Sequence, residues 1–286
     1  MAVTVTRHDF PTANAVQGLE TLGEDTREAI DDLEDSPRWF NNALSAALMT
    51  AQAHCAVDPV ADKFATWEAY VSAMQVGSAL FASAVATEGT VQCRIAGKTR
   101  TIAASGPQYY ANPAQWLTSF WLAVICREQG RMTQLANVPL SLLRESGVVI
   151  DEYAYAWVDT LQTYWLQGPE LVEKLGAAMD GTDPEVLRVA DRELVLKQLY
   201  PPINLFYRFL RQDHERFNAE LANALRWHQE YWTKDAERAC DIRGLVALGP
   251  LAIACLAYDA GFPIEVESEY LPKHLLQRSW LGEFDT

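Results

Sequence analysis

Gly244–Leu276 reads GLVALGPLAIACLAYDAGFPIEVESEYLPKHLL, and its first fifteen residues, Gly244 to Tyr258, carry no charge. That run is too short to span a bilayer, and Gly249-Pro250 breaks it besides. A helix that is apolar on every side has no face to give to water, so the run predicts a buried helix near the centre of a helical fold. Gly261 ends it. Beyond the glycine, Ile264 and Val266 alternate with Glu265 and Glu267, the period of a short strand with one covered face.

Working outward, 286 residues with 49% hydrophobic content and nine Trp are ample for a packed core. Caps followed by proline, at Ser36-Pro37, Asn112-Pro113 and Asp183-Pro184, mark three helix starts. Periodicity predicts helices over about 12–34, 37–57, 63–86, 113–128, 131–145, 149–167, 169–180, 184–199, 201–233 and 242–260. Val91 to Ile95 and Lys98 to Ile102 form a β-hairpin through Ala96-Gly97. No repeat of fixed period and no Gly/Ser/Pro-rich linker divides the chain. The expectation is a mostly α fold: a single-domain multi-helix bundle over residues 1–286, with one small β-hairpin and a short C-terminal strand.

The Gly244–Leu276 stretch has company. Met74-Gln-Val-Gly-Ser-Ala-Leu-Phe81 leads into Ala86-Thr-Glu-Gly-Thr-Val-Gln-Cys-Arg-Ile95, and Tyr153 to Trp165 has a distinctive aromatic spacing. Together these residues resemble the immunity protein 49 family, predominantly helical proteins encoded beside toxin genes in bacterial polymorphic-toxin systems. The resemblance implies a binding role, neutralising a cognate protein toxin by occupying it, and no enzymatic one. It carries no catalytic, cofactor-binding or metal-binding residues onto this sequence.

Charge is the strongest physical clue to a partner. The net charge is −15; Glu20 to Asp35 holds eight acids against Arg27, and Asp259 to Glu269 adds four more with no basic residue. On a helical wheel Leu19, Leu22, Ala29, Ile30 and Leu33 share one face, while Glu20, Glu24, Glu28, Asp31 and Asp35 fall in a separate stripe. Rungs of this ladder lie about 5–6 Å apart and repel one another, which a basic partner would relieve. Solvated acidic faces also serve solubility alone. A toxin acting on nucleic acid would present a basic groove that such a ladder could imitate, so the five acids are the candidate partner-binding residues. The chain's own acidity argues against direct nucleic-acid binding.

Two other classes compete. Asp31-Asp32-Leu33-Glu34-Asp35 matches DDxxD, with which class I terpenoid synthases hold magnesium through residues equivalent to Asp31, Asp32 and Asp35. The run lies close to the N-terminus, however, and no second Asn/Ser/Glu metal motif follows it. A helical regulatory or scaffold protein is the third reading. His214 and His228 share a face with Phe217, Leu221 and Leu225, which fits hydrogen-bonded, semi-buried histidines rather than ligands; no HExxH, Glu-x-x-His, Gly-rich phosphate loop or GxSxG appears. Tyr153, Trp157, Leu161, Tyr164 and Trp165 read as a core stripe, as do Phe206, Phe209 and Leu210, whereas Trp227, Tyr231 and Trp232 sit among polar residues where one could anchor a partner. Five widely spaced cysteines in apolar settings read as reduced core thiols. MAVTVTRHDFPT shows no secretory signal, so a cytoplasmic protein that does not enter membranes is expected.

Overall fold

The computed structural model describes residues 3–12, 15–283 and 286. The chain is mostly helical. Its elements in order are β1 (Val3–Thr4), α1 (Ala15–Asp31), α2 (Phe40–Val57), α3 (Phe64–Val85), β2 (Thr90–Ile95), β3 (Lys98–Ala103), α4 (Pro113–Ile125), α5 (Gln129–Ala136), α6 (Leu140–Glu145), α7 (Glu152–Trp165), α8 (Leu171–Asp180), α9 (Arg192–Leu194), α10 (Tyr200–Leu210), α11 (His214–Trp232), α12 (Ala236–Ala239), α13 (Leu248–Asp259), β4 (Val266–Glu267) and α14 (Lys273–Leu276). Residues Ala13 and Asn14, inside the expected first helix, lie outside the described residues.

The uncharged run does form the central helix, but α13 starts at Leu248, after a 3-10 turn at Ile242–Gly244. Gly249 and Pro250 lie in its first turn, where proline costs the helix nothing because those N–H groups have no intrahelical acceptor. α13 is buried on all sides, against α4, α10, α11 and α14. Ile242–Asp259 does meet the length and composition of a membrane span, with mean hydropathy 1.5, yet 61% of it is buried within the fold and only α13 is regular helix. A core helix passes the same test.

Layering continues outward from α13 through α4 to α3, α2 and α1. α3 and α4 approach closely at Gly77, where an added Cβ would stand 2.6 Å from Ser119 Oγ and 2.9 Å from its Cβ. Any larger residue there would push the two helices apart. The hairpin pairs Thr90 with Ala103 through Ile95 with Lys98, turning at Ala96-Gly97. Gln75 of α3 fastens that turn by accepting the Ala96 N–H at 2.8 Å. The expected C-terminal strand is β4, with Val266 buried and Glu265 and Glu267 exposed. Its partner is β1, which runs parallel to it with Val3 opposite Val266 and is too short to show a strand period of its own. His8 reinforces the junction, its Nδ1 lying 2.8 Å from the Tyr270 hydroxyl.

Three expected helices are corrected. Residues 131–145 divide into α5 and α6, with Pro139 capping α6. Residues 201–233 divide into α10 and α11 at Arg211–Asp213, where Gln212 takes a positive φ and Asp213 accepts the Arg216 N–H to start α11. Asp183-Pro184 starts only a turn. The helix there fails because the Asp151 carboxylate takes the backbone N–H groups of Arg188, Val189 and Ala190, two of them at 2.8 Å, which a helix would have needed. Helix resumes at Arg192 and passes through a π turn, Val195–Leu199, where Tyr200-Pro201-Pro202 withholds two N–H donors.

Asp151 also sets a pH prediction. Burial opposes its ionisation, but the N–H groups of Ala190, Arg188 and Val189 outweigh burial and hold the carboxyl below the usual carboxylate range. A depressed folded-state value means stability that is fully present above the unfolded value of about 3.9 and is lost as pH falls through the folded one. Asp151→Asn is therefore expected to cost about 1–3 kcal/mol at neutral pH and distinctly less near pH 3, read from urea melts. An equal cost at both pH values would contradict this role.

Candidate functional site

α1 lays Ile30 into the core and its buried Thr26 hydroxyl 2.8 Å from that of Thr50 on α2, which fixes the opposite face toward solvent. Glu20, Glu24 and Glu28 occupy that face, all exposed, and none has an ion-pair partner among the described residues. The lower rungs differ. Asp31 stands 2.7 Å from the guanidinium of Arg100, a β3 side chain only 4% exposed, and Glu34 stands 3.3 Å from it. Asp35 lies beyond the helix end, in the turn that follows Asp31. So the structure keeps three of the five candidate acids in one free row, commits Asp31 to the hairpin, and sets Asp35 off the helix. Neutralising all five would take from the buried Arg100 one of the two acids it pairs with, so the five are not equivalent for the fold.

The same contacts weigh against the aspartate-rich run as a metal cradle. Asp31 is engaged by Arg100, Leu33 is fully buried, and no group of three His, Cys, Asp or Glu among the described residues is placed to hold a metal ion. Nor is the second acidic stretch a free patch. Asp259 takes the buried Arg127 at 3.0 Å, and Glu269 takes Arg7 at 3.2 Å. On α1, by contrast, Glu20, Glu24 and Glu28 stay exposed and unpaired.

Most of the remaining candidates serve the core, but the exposed His214 and Cys240 depart from the semi-buried and core roles expected of them. His228 is buried, its Nε2 3.0 Å from the Gly244 carbonyl, and burial pushes its pKa down to about 4. His214 is exposed, its ring 4.1 Å from that of Phe262. Tyr153, Trp157 and Leu161 are buried, and Trp157, Tyr164 and Phe209 surround the Phe206 ring at 5.1–5.9 Å. Trp227, Tyr231 and Trp232 are each half-buried; Arg238 covers Tyr231 at 4.2 Å and Arg243 lies 5.7 Å above Trp232. Cys55, Cys93, Cys126 and Cys255 are buried, with burial pushing the Cys55 thiol up to about 12, while Cys240 is exposed. All five are free thiols.

The structure thus sets an exposed carboxylate row on α1 over a buried helical core. The family model described as Immunity protein 49 matches residues 58–275, most of the chain, and the protein belongs to that family. No curated protein and no solved structure matches it.

Proposed function

We propose that this protein is a non-catalytic immunity protein that binds a cognate toxin in the cytoplasm of the producing cell and silences it by occupying it. The family match carries the reading, and the net charge of −15 with the exposed Glu20, Glu24, Glu28 row supports a basic toxin surface, such as a nuclease groove, as the complement. The row precedes the matched residues, so its assignment rests on charge and exposure alone. A surface fitted to one partner is where members of a binding family differ. Asp31 and Asp35 belong to the rim of that contact, and the whole chain acts as one domain. The test is direct binding between the purified protein and the toxin encoded beside it, by calorimetry at low salt. A stoichiometric complex is the expected result, and no measurable heat with any neighbouring toxin would defeat the assignment.

A further inference from the structure

His8 and Tyr270 meet at one hydroxyl. Tyr270, fully buried, accepts the His8 backbone N–H at 3.1 Å, and its oxygen lies 2.8 Å from His8 Nδ1. A phenol has one proton to give. With the backbone N–H arriving as a donor, that proton goes to Nδ1, its only acceptor among the described residues. His8 is therefore neutral, with its own proton on Nε2.

A second proton on the ring reverses that bond. Nδ1–H would then donate to the phenolic oxygen, and the Tyr270 O–H would lose its acceptor while staying buried. The surroundings offer the new charge little in return. His8 is 9% exposed, and its Nε2 is shut off from water without a hydrogen-bond partner among the described residues. On its own segment Arg7 opposes the charge and Asp9 favours it, and Arg7 is itself engaged by Glu269 at 3.2 Å and the Cys55 carbonyl at 2.8 Å. α12 contributes the favourable Ala239 carbonyl, while α11 presents His228, whose ring lies 4.9 Å from that of Tyr270 and whose charge His8 would repel. Burial outweighs the favourable groups and holds His8 below the ordinary histidine value of 6.5.

The segment that His8 fastens is short. β1 has two residues; the Val3 and Val5 N–H groups donate to the Glu265 and Glu267 carbonyls at 2.8 and 3.0 Å, and Gln229 of α11 holds the Thr6 carbonyl at 3.0 Å. Together with Tyr258, Ile264 and Leu276, this segment walls a cavity of about 510 Å³. We propose that His8 is a proton-operated latch: neutral, it closes the N-terminal strand onto the C-terminal one, and protonated, it lets residues 3–8 lift from β4 and α11 while the core stays folded, opening that cavity. The released histidine binds its proton more readily than the held one. Closure is thus fully favoured above about pH 6.5 and weakens as pH falls through that value toward the lower one of the held ring. The latch needs no partner protein and is independent of the toxin-binding reading.

Hydrogen exchange of the Val3 and Val5 amides in the full chain, corrected for its intrinsic pH dependence, reads the latch. The Trp116 indole N–H, which donates to the Leu135 carbonyl at 2.9 Å inside the core, reads the rest of the fold. One extra proton in the released state makes release up to about tenfold easier per pH unit, so exchange is expected to be about tenfold faster at pH 5.0 than at pH 7.5, with Trp116 unchanged. His8→Gln supplies a carbonyl oxygen for the Tyr270 proton and does not titrate, and it leaves Arg7, Glu269 and every other carboxylate in place. Its strand amides are expected to exchange equally at both pH values. Equal wild-type rates at the two pH values, a full pH effect retained in His8→Gln, or Trp116 exchanging in step with the strand would each overturn the proposal.

Discussion

Replacing Arg127 with alanine is expected to cost about 3–5 kcal/mol, the largest single loss in the molecule, because it strands a set of buried acceptors. The guanidinium leaves the C-terminal end of α4 and spends its donors on four groups far away in sequence. It donates to Asp259 at the end of α13 at 3.0 Å, to the Leu275 and Leu276 carbonyls of α14 at 2.7 Å each, and to Cys255 Sγ at 3.1 Å. One side chain thus closes α4, α13 and α14 together, with only 8% of it exposed. Lysine carries one compact charge and cannot reproduce the fork, so Arg127→Lys is expected to recover only a part of the loss. Arg144 supplies the comparison. It also pairs bidentately, with Glu152 at 2.8 and 2.7 Å, but both side chains are at least half exposed, and Arg144→Ala is expected to cost under about 1 kcal/mol. Chemical denaturation of the three variants measures this; equal losses for Arg127→Ala and Arg144→Ala would show that burial is not what makes the first contact matter.

Converting Glu20, Glu24 and Glu28 together to glutamine is expected to slow toxin association by about tenfold or more at low salt, with little change in dissociation. These three carboxylates are exposed and hold up no other part of the fold, so stability should stay within about 0.5 kcal/mol of wild type. The rate deficit should fade as salt shortens the screening length from about 10 Å at 0.1 M to about 3 Å at 1 M. Asp31→Asn belongs in a separate variant, because it also takes from the buried Arg100 the nearer of its two acids, leaving Glu34. Stopped-flow association at two salt concentrations separates the effects. A salt-independent wild-type rate would remove α1 from the interface.

Much of this architecture is legible in the sequence because it is local. An uncharged run, a capped proline at Asn112-Pro113 with its Gln115 N–H contact, and strict alternation at Ile264–Glu267 each announce themselves within a few residues. What escapes such reading is chemistry between distant residues. Asp183-Pro184 has the form of a helix start, but Asp151, more than thirty residues earlier, claims the N–H groups that helix needs. β1 is only two residues long and its partner lies at the other end of the chain. The acidic ladder is sound as a helix face, yet only Arg100 on the hairpin reveals that Asp31 is already paired.

Neutralisation of the toxin is read from cell survival. Cells expressing the toxin encoded next to this protein are grown with and without the protein supplied from a second plasmid, alongside an unrelated acidic helical protein as control. The protein alone is expected to restore growth, through a complex that can be isolated from the rescued cells. Growth arrest that persists despite abundant folded protein, or rescue by the acidic control as well, would contradict it.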